Sequence, residues 1–279
     1  MKERATFTIE ENLLEQIDSM IDGSKVKNRS HAVELLLMKA FGRSSPKYAV
    51  ILAGGEGIRL KPITQEIPKP LIPVHDRPII EHNIDLLRKY GITNVFLSVG
   101  YKGNKIRDYF GDGSKFGCKF TYLFEDKPLG TAGPLNMAKK HIDSTFVLAN
   151  ADELKNIDLH DMYRMHKESN ALITIALTSV EDPSSYGVAK LQGNKILSFV
   201  EKPNKEEAPS KFINAGLYII EPEIFEHMPN KEEISIEREV FPKIASIGRL
   251  YGYPFSGQWM DTGTLERYQY AIENWKGLE

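Results

Sequence analysis

Residues 48–70 read YAVILAGGEGIRLKPITQEIPKP, and the fold is decided by how this stretch is interpreted. Residues 49–52 are a short apolar run containing β-branched side chains and ended by glycine, which predicts a buried strand. The run empties into Gly54, Gly55 and Gly57, with Arg59, Lys61 and Lys69 behind them. A glycine-rich turn at the end of a strand can turn backbone N–H groups toward an anion, and cationic side chains beside it add field of the same sign. The stretch therefore predicts a triphosphate site in an enzyme.

Downstream, strands alternate with helices. Residues 78–90 predict a helix that offers Ile79, Ile80, Ile84, Leu86 and Leu87 to a core and ends at Gly91. Residues 94–99 and 120–124 predict strands, with a short helix between them pinned by Ile106 and Phe110. A helical segment at 131–140 and a strand at 145–148 follow, the strand closing into Asn150, Ala151, Asp152 and Glu153. This alternation implies βαβ units and a mostly parallel sheet, whose ligands gather at the carboxyl ends of the strands. The glycine loop and Asp152 both stand at such ends.

After a helix at 158–169 the character changes. Residues 171–178, 186–191, 196–200 and 212–220 read as strands with few helices between them, an added sheet region over the site. It carries Glu201-Lys202-Pro203 and Asn214-Ala215-Gly216; a glutamate and a lysine side by side supply an acceptor and a movable cation for a sugar phosphate. A helix at 234–244, a strand at 251–255 and a helix at 265–275 complete the chain, with Leu265, Tyr268, Ile272 and Trp275 as the core stripe of the last one. Trp259 is assigned to packing, and Asp261 is the second carboxylate of interest.

Composition narrows the classes. The chain of 279 residues can bury one large core and carry a small second module. Its formal charge of -2 exerts no global pull on nucleic acid, so such binding needs a local patch. Cys118 is the only cysteine and is read as a packing residue; thiol zinc sites and internal disulfides are excluded. Walker A, GxGxxG, G-x-S-x-G and kinase signatures are missing. No apolar run reaches the roughly 20 residues of a membrane span, and the opening MKERATF has no apolar leader, so a cytoplasmic location is expected.

Residues 1–45 have another texture. RATFTI at 4–9 alternates, residues 10–21 place Leu13, Leu14, Ile17, Met20 and Ile21 on one helical face, and Ser30 is placed to cap a second helix carrying Val33, Leu36, Leu37, Ala40 and Phe41. Strand, helix, turn, helix in about 40 residues leaves a strand unpaired and a core too small to stand alone, faults that pairing with a second copy would repair. The pattern resembles the ribbon-helix-helix DNA-binding domain. That resemblance implies a homo-oligomer held by the N-terminal ribbon, base contacts from Arg4, Thr6 and Thr8, and phosphate contacts from Lys27, Arg29 and Ser30. GRSSP at 42–46 marks the boundary, giving domains 1–43 and 44–279.

The ordered set LAGGEGIRLKPITQEIPKP, GTAG at 130–133, NAD at 150–152, EKP at 201–203, NAGLY at 214–218 and WMDTG at 259–263 resembles the nucleotide-sugar pyrophosphorylases across residues 47–275. The resemblance implies an α/β fold: a Rossmann-like mixed sheet with an inserted sugar-binding portion, here preceded by the small ribbon-helix-helix module. It implies transfer of a nucleotidyl group from a nucleoside triphosphate to a hexose 1-phosphate, mannose or glucose 1-phosphate, with release of pyrophosphate. Asp152 and Asp261 would hold Mg²⁺. The amides of residues 55–58 and Arg59 would bind the triphosphate, Lys69 the nucleotide phosphate on the attacked side, and Lys202 the sugar phosphate. Leu52, Ala53, Gly54, Gly55, Gly57, Ile58, Gly130 and Thr131 would line the nucleotide site, and Tyr186, Gly187, Glu201 and Asn214 the sugar pocket. Ala151 and Ile58 depart from the family's usual Gly and Thr or Ser, which leaves a second reading: a catalytically weak sugar-nucleotide sensor that regulates transcription through its N-terminal module.

Overall fold

The computed structural model describes residues 6–21, 26, 28–40 and 45–278, and divides into two compact units, Met1–Ser44 and Ser45–Glu279. In the first, α1 (Glu11–Ser19) and α2 (Arg29–Ala40) form as the periodicity predicts, burying Ile17 and Ala32. Residues 6–10, which include Thr6 and Thr8, pair with no strand among the described residues. Asn28, not Ser30, caps α2: its Oδ1 accepts from the His31 N–H at 3.0 Å, and Ser30 lies inside the first turn. Arg29 is bidentate on the Asp18 carboxylate, at 2.6 Å from each nitrogen, so its fork is engaged within the unit. Arg4 and Lys27 lie outside the described residues.

The second unit is built on strands β1 (Tyr48–Ala53), β2 (Pro73–Val74), β3 (Arg77–Pro78), β4 (Asn94–Val99), β5 (Lys119–Phe124), β6 (Phe146–Asn150), β7 (Glu153–Lys155), β8 (Ile173–Ser179), β9 (Gly187–Gln192), β10 (Lys195–Glu201), β11 (Phe212–Ile220), β12 (Leu250–Pro254) and β13 (Trp259–Asp261). Nine of them make one mixed sheet in the order β5-β4-β1-β6-β11-β8-β12-β10-β9. The first four run parallel, β11 lies antiparallel to both β6 and β8, and the β9–β10 hairpin closes the far edge. Two small ribbons stand apart, β2 with β3 and β7 with β13.

Because successive side chains of a strand point to opposite faces, β1 feeds two cores. Val50 packs with Phe96 and Leu148 on one side, under α6 (Gly133–Ala138), α8 (Ile224–His227) and α9 (Phe241–Ser246). Ala49 and Ile51 pack on the other with α4 (Ile79–Lys89), α5 (Gly103–Phe110) and α7 (Leu159–Glu168). The sheet is thus covered on both faces, as its near-continuous apolar strands require. A third cluster of Leu60, Ile72, Leu154, Met260, Ala271 and Trp275 anchors the β7–β13 ribbon against α10 (Leu265–Asn274).

Two element readings need correction. Residues 234–244 are not one α-helix: a π-helical turn at Ile236–Val240 precedes α9. The Thr131 hydroxyl accepts from the Ile236 N–H at 2.9 Å and donates to Glu237 Oε2 at 2.6 Å, and these tertiary bonds widen the turn. On α10, Leu265 is exposed, and it is Ala271 and Trp275 that are buried against the ribbon.

Candidate functional site

A crevice of about 910 Å³ opens at the carboxyl ends of β5, β4, β1 and β6. Its floor is the glycine loop. Gly57 sits at φ 66°, where a Cβ would lie 2.9 Å from the Thr64 methyl, so only glycine turns the chain here without strain. The Thr64 hydroxyl locks the turn by donating to the Gly57 carbonyl at 3.1 Å, and the Tyr101 N–H binds Gly54 O at 3.1 Å.

Leu52, Ala53, Gly54, Gly55, Gly57 and Ile58 line the crevice, as do Arg59 and Lys69, Gly130 and Thr131, and Asp152. Lys69 is nearly buried and its ammonium donates to Asp152 Oδ2. Burial raises the Asp152 pKa, but Lys69 outweighs it and holds the carboxyl below its ordinary value. Ala151 has no left-handed strain, the positive-φ non-glycine residues among the described residues being His75, Lys102, Asn170 and Lys202, and its N–H donates to Leu52 O at 3.1 Å.

Asp261 is brought up by the β7–β13 ribbon, where it stands in register with Glu153, next in sequence to Asp152. The Thr262 hydroxyl ties the ribbon to Asp152 O at 2.7 Å. The Asp261 carboxylate accepts from Arg267 Nη1 at 2.5 Å, from the Gly263 N–H at 2.7 Å and from the Tyr186 hydroxyl at 3.4 Å. A Cβ on Gly263 would meet Asp261 Oδ1 at 2.9 Å and Arg59 Nη2 at 3.0 Å, so a bare backbone separates these two groups.

Tyr186, Gly187, Glu201, Lys202, Asn214 and Asp261 are not part of the crevice wall. Five of them cluster around the β9–β10 hairpin and β11. Gly187 pairs with Glu201 in register, and the Lys202 N–H donates to Tyr186 O at 3.0 Å. Burial raises the Glu201 pKa, helped by the Glu237 charge. The Lys202 ammonium is exposed, 3.5 Å from Glu201 Oε1. Asn214 is engaged at both ends of its amide, donating to the Tyr218 hydroxyl at 2.8 Å and accepting from the Gly216 N–H at 3.0 Å. It shapes the bulge in β11, where the pairing with β8 shifts between Asn214 and Tyr218.

Sequence reasoning missed two carboxylates. Glu153 accepts from Asn150 Nδ2 at 3.0 Å and Trp259 Nε1 at 2.8 Å, so Trp259 orients a polar group as well as packing on Tyr186. Burial first, and Asp152 after it, push the Glu153 pKa up to about 7 against the pull of Lys155. Glu125, the residue after β5, lines the crevice. The carboxyl-end rule that picked out Asp152 applies to Glu125 equally.

Asp152 and Asp261 give two hard oxygen donors on adjoining segments. A Mg²⁺ ion uses one or two carboxylates and takes the rest of its shell from phosphate and water, so this donor set fits it.

A family model for Nucleotidyl transferase matches residues 48–276. A UTP--glucose-1-phosphate uridylyltransferase from Synechocystis is 38% identical over 80% of the chain, and a mannose-1-phosphate guanylyltransferase from Mycobacterium tuberculosis 37% identical over 79%. The chain spans 62% of the length of each. Among solved structures, a UDP-glucose pyrophosphorylase complexed with UDP-glucose superposes with a TM-score of 0.71 at 27% identity, covering 82% of this chain and 97% of that one. With a mixed sheet, a glycine loop at the end of its first strand and the family match across both, the chain belongs to the nucleotidyl transferase family.

Proposed function

We propose that the second unit transfers a nucleotidyl group from a nucleoside triphosphate to a hexose 1-phosphate, with Mg²⁺ as cofactor. The observation that carries this reading is the meeting of Lys69, Asp152 and the glycine loop with Arg59 in one crevice, with Asp261 delivered beside it by the β7–β13 ribbon. The acceptor brings its own nucleophile, a phosphate oxygen, so the protein needs none. That oxygen forms a bond to the α-phosphorus while the bond from the α-phosphorus to the bridging oxygen breaks, and pyrophosphate leaves with the electron pair. The residues have to align the two substrates and offset their negative charge.

Loop amides 55–58 and the Arg59 fork receive the triphosphate oxygens, since a planar guanidinium binds two oxygens and stays charged. Lys69, fixed by Asp152, holds the attacked side of the nucleotide, and Lys202 receives the sugar phosphate. Asp152 and Asp261 would hold Mg²⁺, which when bound neutralises phosphate oxygens and favours the departure of pyrophosphate. The test is Mg²⁺-dependent pyrophosphate release across GTP, UTP, dTTP, CTP and ATP against mannose and glucose 1-phosphate. Release only with both substrates supports the reading; folded protein that releases none with any pair overturns it.

For the first unit we propose self-association. Phe7, Leu13, Leu36 and Leu37 are exposed, and residues 6–10 pair with no strand among the described residues, so a second copy would offer both an apolar partner and a ladder. Duplex binding by that dimer is a separate proposal, tested by salt-dependent retention on duplex DNA.

A further inference from the structure

In the β7–β13 ribbon Trp259 stands opposite Lys155, Met260 opposite Leu154 and Asp261 opposite Glu153. Side chains alternate along a strand and directly opposite residues share a face, so Glu153, Lys155, Trp259 and Asp261 lie on one side. Leu154 and Met260 turn the other way, into the third core cluster. The polar side meets the β11 bulge, where the Lys155 ammonium donates to Gly216 O at 3.1 Å and a Cβ on Gly216 would lie 2.3 Å from Glu153 Oε1. It also meets Tyr186, whose ring packs edge-on against Trp259 at 5.5 Å. Glu153 therefore stands between Asn150, which lines the crevice, and the cluster that includes Tyr186 and Asn214.

Its carboxylate differs from the two beside it. Asp152 takes Lys69, and Asp261 takes Arg267. Among the described residues Glu153 takes hydrogen bonds only from neutral donors, Asn150 Nδ2 at 3.0 Å on Oε1 and Trp259 Nε1 at 2.8 Å on Oε2. These two bonds fix the plane of the group and leave each oxygen able to accept once more. The absent side chain at Gly216 makes room for Oε1. Glu153 is only half-buried, so its open acceptor positions are not sealed inside the protein.

What completes such a group is a donor without negative charge. A phosphate is repelled by the carboxylate itself and by Asp152 and Asp261 next to it. A hydroxyl brings a donor and no charge, and its bond to an ionised acceptor is stronger than one between neutral groups. A hexose carries several hydroxyls whose directions are fixed by the ring, so a carboxylate locked at both oxygens can tell one from another.

We propose that Glu153 is a specificity-determining residue for the acceptor: it accepts a hydrogen bond from one hydroxyl of the hexose and holds the sugar between the ribbon and the β11 bulge. Asn150 and Trp259 are positioning residues that aim the carboxylate for that contact. The inference rests on the reading that the acceptor is a hexose 1-phosphate.

The test uses the full chain with glucose and mannose 1-phosphate and the mono-deoxy forms of each. One readout is kcat/KM for pyrophosphate release; the other is calorimetric binding of each sugar with Mg²⁺ and non-cleavable α,β-methylene triphosphates. For the preferred hexose, removing the hydroxyl that Glu153 holds should cost about 10- to 100-fold in both, the range of a hydrogen bond to a charged group. This comparison needs no variant. Glu153→Gln should cost the intact sugar about tenfold, yet treat that one deoxy sugar within about twofold of the parent protein, because the bond is already gone. Hydroxyl-specific binding of this kind with no pyrophosphate release would overturn the transfer reaction and leave sugar selection standing. With release intact, equal losses for the intact and every deoxy sugar in a folded Glu153→Gln protein would mean that the carboxylate acts through Asp152, Asp261 or a metal ion, and would overturn sugar selection. So would no loss in that variant, or a parent protein that uses every deoxy sugar within about twofold of the intact one. Failure to bind any hexose 1-phosphate would overturn both.

Discussion

The ammonium of Lys69 donates to the carboxylate of Asp152, joining segments 83 positions apart at the centre of the crevice. Lys69 is almost fully buried while Asp152 keeps about a third of its side chain in solvent. Removing the lysine leaves a partly desolvated carboxylate without its counter-charge. Lys69→Ala should cost about 1–2 kcal/mol of stability, below the 3–5 kcal/mol of a fully buried pair because solvent screens Asp152. The Tm of the variant measures this, and adding Asp152→Asn should return part of the loss.

Arg59→Ala should reduce kcat/KM for pyrophosphate release by about 10² to 10³, the loss of one well-placed charge-stabilising group. Lys202→Ala should fall in the same range, with a larger share in the KM of the sugar phosphate. Asp152→Asn should lose more, since it weakens both the hold on Lys69 and the proposed site for Mg²⁺. Steady-state kinetics with each substrate varied in turn separates these cases; variants within twofold of the parent would sink the assignments.

Gly216 stands at φ 60° in the β11 bulge, and a Cβ there would lie 2.3 Å from Glu153 Oε1. Gly216→Ala should therefore do two things: strain the backbone by about 1–2 kcal/mol and displace the Glu153 carboxylate from Asn150 and Trp259. A lowered Tm together with a changed Trp259 emission is expected; an unchanged Tm would contradict the geometry.

Glu221 ties three segments together. It accepts from Thr145 Oγ1 at 2.9 Å, lies 3.1 Å from His166 Nε2 and takes a bond from Lys167 Nζ at 2.5 Å. Burial pushes its pKa up, but the bonds from His166, Lys167 and Thr145 prevail and hold it at about 2, against an ordinary 4.5. Because the folded state lowers this pKa, the stabilisation is complete above pH 4.5 and drains away as pH falls toward 2. The interval corresponds to at most about 3 kcal/mol. Glu221→Gln should lower stability at pH 7 and flatten the acid limb between pH 4.5 and 2 in denaturant titrations; a parallel shift at every pH would count against it.

Leu13→Glu with Leu37→Glu should reduce the mass in solution if exposed apolar residues of the first unit join two copies, and should leave pyrophosphate release per chain within about twofold. Light scattering on the full chain decides it, and an unchanged mass would remove the proposed role.

What could be read from sequence follows the range of the forces involved. β1 and its loop were legible because an apolar run ended by glycine needs only local chemistry to interpret, and the same holds for α4 and for the helix read at 158–169, which the structure starts one residue later with the Asp158 side chain as its cap. Glu125 stands at a carboxyl strand end as Asp152 does and was within reach of the same rule; what no local pattern encodes is the order of four strands that brings both to one crevice. Trp259 looked like core because a large aromatic usually is; its Nε1 bond to Glu153 depends on a ribbon whose strands are 106 positions apart at that contact. Residues 234–244 carried a helical pattern that Thr131 overrode from a distant turn. Leu265 satisfied helical spacing, yet the ribbon it would have covered is short, and Ala271 and Trp275 already fill it.

The β7–β13 ribbon also sets an order of events in time. Of the residues that line the crevice, all but Gly263 precede residue 153, whereas Asp261 arrives from the last fifth of the chain. A growing chain therefore carries most of the crevice wall well before it has Asp261. Under the proposed transfer reaction, a molecule in which β13 has not docked would lack Asp261 at the site, so chemical competence would be the last property the folding chain acquires.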